Sequence, residues 1–436
     1  MFLNWNSKDW SAVSDMWTVR DDYGFFHVYA FTMTIGVISA ISISAIKLYI
    51  KGVPLKELWI GASIIVPFSL LGASFFGKLN ADGPGQNAQG TSFWGLFAFW
   101  KAGMAIHGGV YCGALVGIVI FYFLGRKTRV SLWTYGDAII PNILIGQGIG
   151  RWGNFFNHEL YGQPIAKWFV ESSNEIKQTN ALSWLPQFIR ENMVWEYRGS
   201  GGSLNGLELI SGEKYLMAPI FLYESFFLIL SWAIITFLIS FIGRWFGKKP
   251  WKINPEKYSF NLKVSYIWKQ AVFANHDEKN VNEYNENINQ IKDSNWIKRK
   301  WKQGELLVTT NNPYKYLTVK AGVEMGVYFF SWNIVRLILE IDRAEDHLFL
   351  MYQRGLSLAL ISLTAILGII LIIIAQWVSP YLFRQPGYVY EQEYFYTKAV
   401  IEKIVKDKSV SNEKKLKQKL KEKKIKEKLE KKMDKK

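Results

Sequence analysis

The sequence predicts an all-α integral membrane protein with seven transmembrane helices, the N-terminus outside and the C-terminus cytoplasmic. Three observations carry this expectation. Four stretches of bilayer length hold no Asp, Glu, Lys or Arg: Phe25–Ile46 with 22 residues, Leu58–Gly77 with 20, Ala102–Gly125 with 24 and Gly355–Phe383 with 29. A hydrocarbon core of about 30 Å takes roughly 20 apolar residues in a helix. Three further runs of spanning length carry few charges: Val130–Gly150 with Asp137, Tyr215–Gly243 with Glu224, and Ala321–Ile341 with Glu324, Arg336 and Glu340. Finally, the net charge of +16 over 436 residues is concentrated in particular links.

Taken in chain order, residues 1–24 are polar and lack an apolar secretory core, so they read as an extracellular segment and the first apolar run as a retained span. Arg126, Lys127 and Arg129 follow the third run, and Arg244, Lys248 and Lys249 follow the fifth. Lys398–Lys436 holds 17 Lys against 7 acidic residues. Basic links mark the cytoplasmic side, and seven spans place all of these on it. Residues 25–383 then form a transmembrane domain with an outer insert, 151–214, and a basic cytoplasmic insert, 248–320. Residues 384–436 form a Lys-rich cytoplasmic tail whose Lys and Glu recur at helical spacing. That tail suits a solvated helix or a segment beside anionic lipid better than a nucleic-acid contact, and no nucleic acid is expected as a partner. The single cysteine, Cys112, excludes an intramolecular disulfide and reads as a small buried residue.

Polar residues gather at one depth on this topology. His27 and Tyr29 stand at the outer end of the first span, His107 near that of the third, and Arg151 and Asn154 at that of the fourth. Tyr223 and Glu224 belong to the outer part of the fifth, and Arg336, Glu340 and Arg343 to the outer end of the sixth. Arg336 and Arg343 are seven apart and share a helix face, and Glu340 at i+4 can pair with Arg336. Arginine presents a planar fork of donors that matches phosphate oxygens. Several arginines with a glutamate at lipid depth therefore fit a phosphate-bearing head group, with histidine and tyrosine to move protons. Bland readings stand beside these. Gly108-Gly109 after His107 admits a ligand or simply a packed helix, and Arg343 can end a span and snorkel. His158-Glu159 does not continue to a second histidine, since Gly162 stands there, and no metal site is expected.

The densest signal is Gly146–Gly162, reading GQGIGRWGNFFNHELYG. It resembles the signature of the bacterial prolipoprotein diacylglyceryl transferases, G-R-x-G-N-F-x-N-x-E-x-x-G, at Gly150, Arg151, Gly153, Asn154, Phe155, Asn157, Glu159 and Gly162. Tyr29, His107-Gly108-Gly109, the run Pro219, Leu222, Tyr223, Glu224 and the run Arg336, Glu340, Arg343 are similar to other features of that family, in the same order. The resemblance spans roughly 25–383 without the inserts. It implies a multi-pass enzyme of the bacterial cytoplasmic membrane that transfers the diacylglyceryl group of phosphatidylglycerol to the lipobox cysteine thiol of a prolipoprotein. A thioether forms and glycerol phosphate leaves, as the first step of lipoprotein maturation. The implied partners are phosphatidylglycerol, prolipoprotein signal peptides and membrane lipids, with no cofactor. By the same resemblance Arg151 and Arg336 hold the phosphate and stabilise the leaving group, and His107 or Tyr29 helps deprotonate the thiol. Asn154, Glu159, Gly108, Gly109, Tyr223, Glu340 and Arg343 bind or shape the head-group site. The chain departs from the family at Ala218 and Phe221, where His and Gln are usual, at Trp332, where Tyr is usual, and at Gly72-Ala73-Ser74, where a Gly-Arg pair is usual.

Two other classes compete. A lipid or anion transporter predicts midplane polar groups and inverted repeats, whereas the polar residues here cluster towards one side and no repeat is evident. A catalytically silent scaffold leaves Arg151, Asn154, His107 and Arg336 without a reason.

Overall fold

The computed structural model describes residues 5–13, 18–81, 92–100, 103–172, 175–260, 263–273 and 278–406. The charged helix expected in the Lys-rich tail falls beyond 406, outside the described residues. The chain divides into two compact units: Met1–Gly247 with Leu317–Val378, and Lys248–Tyr316 with the chain from Ser379.

The first unit is built on helices α1 (Val28–Ile50), α2 (Leu55–Ala81), α3 (Ile106–Thr128), α4 (Leu132–Ile139), α5 (Ile143–Phe156), α6 (Ile220–Ala233), α7 (Val323–Glu340) and α8 (Arg354–Ile373). Every apolar run of the sequence is thus helical, with shifted ends. Helix α3 starts at Ile106 rather than Ala102. The fourth run extends past Gly150 to Phe156 and is jointed by a 3-10 turn, Ile140–Asn142, at Pro141. The fifth begins at Ile220 because Tyr215 lies in a strand. Both α6 and α8 continue into a widened π turn, Ile234–Leu238 and Ile374–Val378. Among the described residues, five helices are long and apolar enough to cross a membrane, those beginning at Val28, Leu55, Ile106, Ile220 and Arg354. Their outward faces carry Ile38, Ile46, Leu115, Val119, Phe123, Phe237, Leu363 and Ile370 exposed. A helix apolar on its outer as well as its inner face is at home in lipid.

Glycines set how closely these helices pair. A Cβ on Gly36 of α1 would stand 2.6 Å from the Gly146 carbonyl of α5. A Cβ on Gly108 of α3 would stand 2.6 Å from the Gly72 carbonyl of α2. With no hydrophobic drive between helices in lipid, such backbone approach supplies the packing. Some buried polar groups are paired across helices. Asp137 of α4 accepts from the backbone N–H groups of Gly322 (2.7 Å) and Met325 (2.9 Å), which caps α7. The carboxylate answers the orphan donors and the positive end of that helix. We expect Asp137→Ala to lose about 1–2 kcal/mol, the usual cost of a lost cap, read as a lower thermal midpoint of the full chain in detergent. An unchanged midpoint would show that the cap contributes nothing.

Strands were not anticipated in the sequence. β1 (Trp10–Ala12), β2 (Pro164–Lys167), β3 (Val194–Tyr197) and β4 (Lys214–Met217) form an antiparallel sheet in the order β1-β3-β4-β2. Trp10, Tyr197 and Tyr215 pack together on it. Beneath lie Phe155 at the end of α5 and Phe221 at the start of α6, their rings stacked at 4.7 Å. Backbone hydrogen bonds Gly162 N–H to Ala218 O (2.8 Å), Ala218 N–H to Gln163 O (3.0 Å) and Phe221 N–H to Leu160 O (3.2 Å) tie the two chain ends of the insert together. The segment between α5 and α6 therefore leaves and returns at one place, and fixes the end of α5 beside the start of α6.

In the second unit, the helix Trp296–Asn311 lies against the residues after Ser379. Trp301 stacks on Tyr381 at 4.7 Å, and the Asn311 side chain accepts from Phe395 N–H at 3.3 Å. Buried Arg384 holds Glu391 and the Tyr394 hydroxyl. The basic insert and the residues after the last apolar helix thus share one folded body.

Candidate functional site

The signature Gly146–Gly162 lies on the second half of α5 and the turn after it. Gln147, Arg151 and Asn154 are spaced i, i+4, i+7 and so line one face of α5. Tyr328, Trp332, Arg336 and Glu340 recur every four residues on α7 and form a second stripe, also buried. Glu224, one turn into α6, joins the two. Its carboxylate takes Arg151 Nη2 on one oxygen at 2.9 Å and Arg343 Nη2 on the other at 2.5 Å. Glu224 is 1% exposed, Arg343 2% and Glu340 0%.

Two further links complete the cluster. Arg336 Nε meets Glu340 Oε2 at 2.9 Å, and Arg343 Nε approaches the same oxygen at 3.9 Å. The other Glu340 oxygen accepts from the Phe349 backbone N–H. Arg151 Nη1 donates to Asn154 Oδ1 (3.4 Å), and Asn154 Nδ2 donates to Glu159 Oε2 (3.0 Å). Three guanidinium groups thus share the buried carboxylates Glu224 and Glu340, with the exposed Glu159 reached through Asn154. Neither Nη group of Arg336 makes a hydrogen bond among the described residues. A free arginine fork beside buried carboxylates that are already occupied is suited to a phosphate or carboxylate oxygen pair.

His107, at the first turn of α3, enters this site through aromatic neighbours. Its ring stacks on Trp332 (centroids 4.7 Å, 25° between planes) and meets Phe349 at 4.3 Å. Trp332 is one turn from Arg336, and Phe349 is the residue whose N–H binds Glu340. His107 is buried and its Nε2 has no hydrogen-bond partner among the described residues. Tyr29, in the first turn of α1, lies against α5: a Cβ on Gly153 would stand 3.0 Å from Tyr29 Cδ2. The small residue of the signature lets that ring sit beside the turn that carries Arg151 and Asn154. Tyr223 precedes Glu224 and is half-buried.

The sequence-derived residues separate accordingly. Arg151, Asn154, Glu159, Glu224, Arg336, Glu340 and Arg343 form one connected polar network, with His107 and Tyr29 against its walls. Gly108 and Gly109 are turned elsewhere. Their missing side chains make room for Gly72, Phe76, Ser69 and Ala73 of α2, so they serve helix packing. Trp332, where a tyrosine is usual in the family, provides the surface on which His107 stacks. Ser74 accepts from buried Lys78 Nζ (2.9 Å), which also donates to the carbonyls of Gly95 (3.1 Å) and Ala98 (2.5 Å).

Several contributors went unread in the sequence. Arg354 donates to the carbonyls of Glu340 (3.3 Å), Ile341 (2.6 Å) and Arg343 (2.9 Å), closing the C-terminal end of α7 where Arg343 emerges. An arginine directly before the longest apolar run was the available signal. His347, in the turn Glu345–His347, is held below the ordinary imidazole range by burial, with Asp346 opposing and Arg343 adding to the effect. It adds no cation near neutral pH. Gln147 and Tyr328 are buried with every side-chain polar atom unpartnered among the described residues. Gln147 was detectable as the residue one turn before Arg151.

The family model for prolipoprotein diacylglyceryl transferase matches residues 24–256. The chain is 36% identical over 170 residues to the phosphatidylglycerol--prolipoprotein diacylglyceryl transferase of Mycoplasmoides gallisepticum, covering 34% of this chain and 41% of that protein. It is 33% identical over 245 residues to the protein of that name from Malacoplasma penetrans, covering 51% and 58%. With the Staphylococcus carnosus protein the identity is 37% over 139 residues, covering 32% and 39%. The matches thus span roughly two fifths to three fifths of the relatives' length. The residues matched by the family model end before α7, so Arg336, Glu340 and Arg343 join the signature by their position in space.

Proposed function

Because this chain belongs to the prolipoprotein diacylglyceryl transferase family, we propose that it transfers the diacylglyceryl group of phosphatidylglycerol to the lipobox cysteine thiol of a prolipoprotein. The observation that carries this reading is the free Nη fork of Arg336 beside the buried ion pairs of Glu224 and Glu340. In the proposed reaction the bond between the glyceryl carbon and the phosphate oxygen breaks, and a carbon–sulfur bond forms. Glycerol phosphate departs with the electron pair, and the thiol proton passes to a protein base. Arg336 and Arg151 neutralise charge growing on the departing phosphate, where fixed cations in a dry site act most strongly. The thiolate is the nucleophile. We assign its generation to His107, whose ring nitrogen is unpartnered, with Tyr29 as the second candidate. Asn154, Glu159 and Tyr223 shape the head-group side, and Glu340 and Arg343 hold the arginines in register. Gly108 and Gly109 act through the α2–α3 contact.

The same reading gives the chain seven spans in a bacterial cytoplasmic membrane, adding α4–α5 and α7 to the five apolar helices, with the N-terminus outside and the C-terminus inside. Residues 25–383 are then the catalytic domain, with the 151–214 insert outside and the 248–320 insert and the tail beyond 384 in the cytoplasm.

The test incubates the purified chain in detergent with phosphatidylglycerol and a lipobox peptide. We expect the mass of one diacylglyceryl group on the peptide, none on a Cys→Ser peptide, and a rate about 10²–10⁴-fold lower with His107→Ala, the range for a lost general base. Bound phosphatidylglycerol without any peptide modification would turn the reading towards transport. Full activity of His107→Ala would pass the base role to Tyr29.

A further inference from the structure

Two polar side chains beneath the arginines are not used by the mechanism above. Gln147 is four residues before Arg151 on α5, roughly 6 Å further into the helix bundle at 1.5 Å per residue, on the same face. Tyr328 is two turns before Arg336 on α7, in the stripe that continues through Trp332. Both are more than nine-tenths buried. Neither the Gln147 amide nitrogen, nor its oxygen, nor the Tyr328 hydroxyl has a hydrogen-bond partner among the described residues. The Tyr328 hydroxyl faces the Gln147 amide without closing a hydrogen bond to it. Around them the bundle is apolar: Leu144, Leu228, Ile235 and Trp332 are buried in the same cluster as Tyr328, with Ile106 and Val110 of α3 against it.

Buried polar groups are nearly always satisfied, so two donors side by side in an apolar wall mark a place where a ligand supplies the acceptor. The acceptor has to be uncharged, because no cation of the network lies on this turn of either stripe, and it has to lie one helical turn deeper than a phosphate. A glycerolipid has such a group. Its acyl ester carbonyls are acceptors without donors, placed a few bonds from the phosphate on the hydrocarbon side.

Resting on the transferase reading, we propose that Gln147 and Tyr328 form a subsite for the acyl ester carbonyls of the glycerolipid whose phosphate the arginines take. The Gln147 amide nitrogen and the Tyr328 hydroxyl beside it are the two donors offered to the carbonyls. The subsite makes the protein selective for ester-linked over ether-linked glycerolipid, a preference that the arginines cannot supply because both lipids carry the same phosphate.

The test compares diester phosphatidylglycerol with its dialkyl ether analogue, using full-length wild type, Gln147→Met and Tyr328→Phe in detergent with one lipobox peptide. We expect wild type to use the ester lipid about tenfold or more faster, since a site that hydrogen-bonds a substrate group discriminates against an analogue lacking it. In each variant the ester-to-ether ratio falls towards one, and a merely structural role would not move that ratio. A wild-type ratio of one, or an unchanged ratio in both well-folded variants, overturns the subsite. A raised peptide KM with the lipid ratio intact also overturns it, assigning the two side chains to the peptide. If wild type modifies no peptide from either lipid, the transferase reading itself falls. Competition between the two lipids for binding then decides the subsite: ester preference lost in the variants supports it, and equal binding by wild type refutes it.

Discussion

Glu224→Leu is expected to destabilise the protein by about 3–5 kcal/mol, the cost of leaving a buried charge without its partner. Glu224 is 1% exposed and is the only carboxylate among the described residues that bridges Arg151 and Arg343. Its removal leaves Arg151, 13% exposed, with Asn154 as its partner. Arg343, 2% exposed, retains only the 3.9 Å approach to Glu340. The loss should show as a lower thermal midpoint and easier unfolding of the full chain in detergent. A double variant, Glu224→Leu with Arg343→Leu, removes charge of both signs and should recover a large part of it, because a buried pair replaced by packed apolar groups is often neutral. If Glu224→Leu is as stable as wild type, the site holds water that the burial does not reveal, and the network contributes little to the fold.

The second large effect is catalytic. Arg336→Ala is expected to lower the proposed transfer about 10²–10³-fold, the usual consequence of losing one preorganised group at a developing charge, and also to cost stability, because Glu340, 0% exposed, loses its nearest cation. Arg336 spends Nε on Glu340 and keeps its fork free, so its removal leaves Glu340 with the Phe349 N–H and a more distant Arg343. Arg336→Lys should restore only part of the rate, since an ammonium cannot reproduce the planar fork. Arg151→Ala should match the loss in rate with a smaller loss in stability, because Glu224 keeps Arg343. Single-turnover rates beside thermal midpoints separate the two substitutions. Normal turnover by Arg336→Ala would remove the phosphate role from α7.

The membrane class and the helical runs were legible in the sequence because they depend on local quantities, namely the length of an uncharged stretch and the cost of taking charge into lipid. The same holds for the stripe on α7. Arg336 and Glu340 are i, i+4 neighbours in any helix, and the structure pairs them at 2.9 Å. Residue types suited to phosphate and proton chemistry were likewise visible at Arg151, His107 and Arg336.

What only the tertiary structure decided were the partners across the chain. Glu224 and Arg343 are 119 residues apart, and nothing local determines that one carboxylate takes both that arginine and Arg151. The choice is made by the sheet in the segment between α5 and α6, which brings the end of α5 to the start of α6. The strands of that sheet are short and depend on pairing across the insert, so periodicity did not reveal them. Gly108 and Gly109 had two readings in sequence, and the approach of α2 to both supports the packing one. Gln147 and Tyr328 would be unremarkable in a soluble helix. They stand out only because the bundle surrounds them with apolar side chains and leaves their hydrogen bonds open.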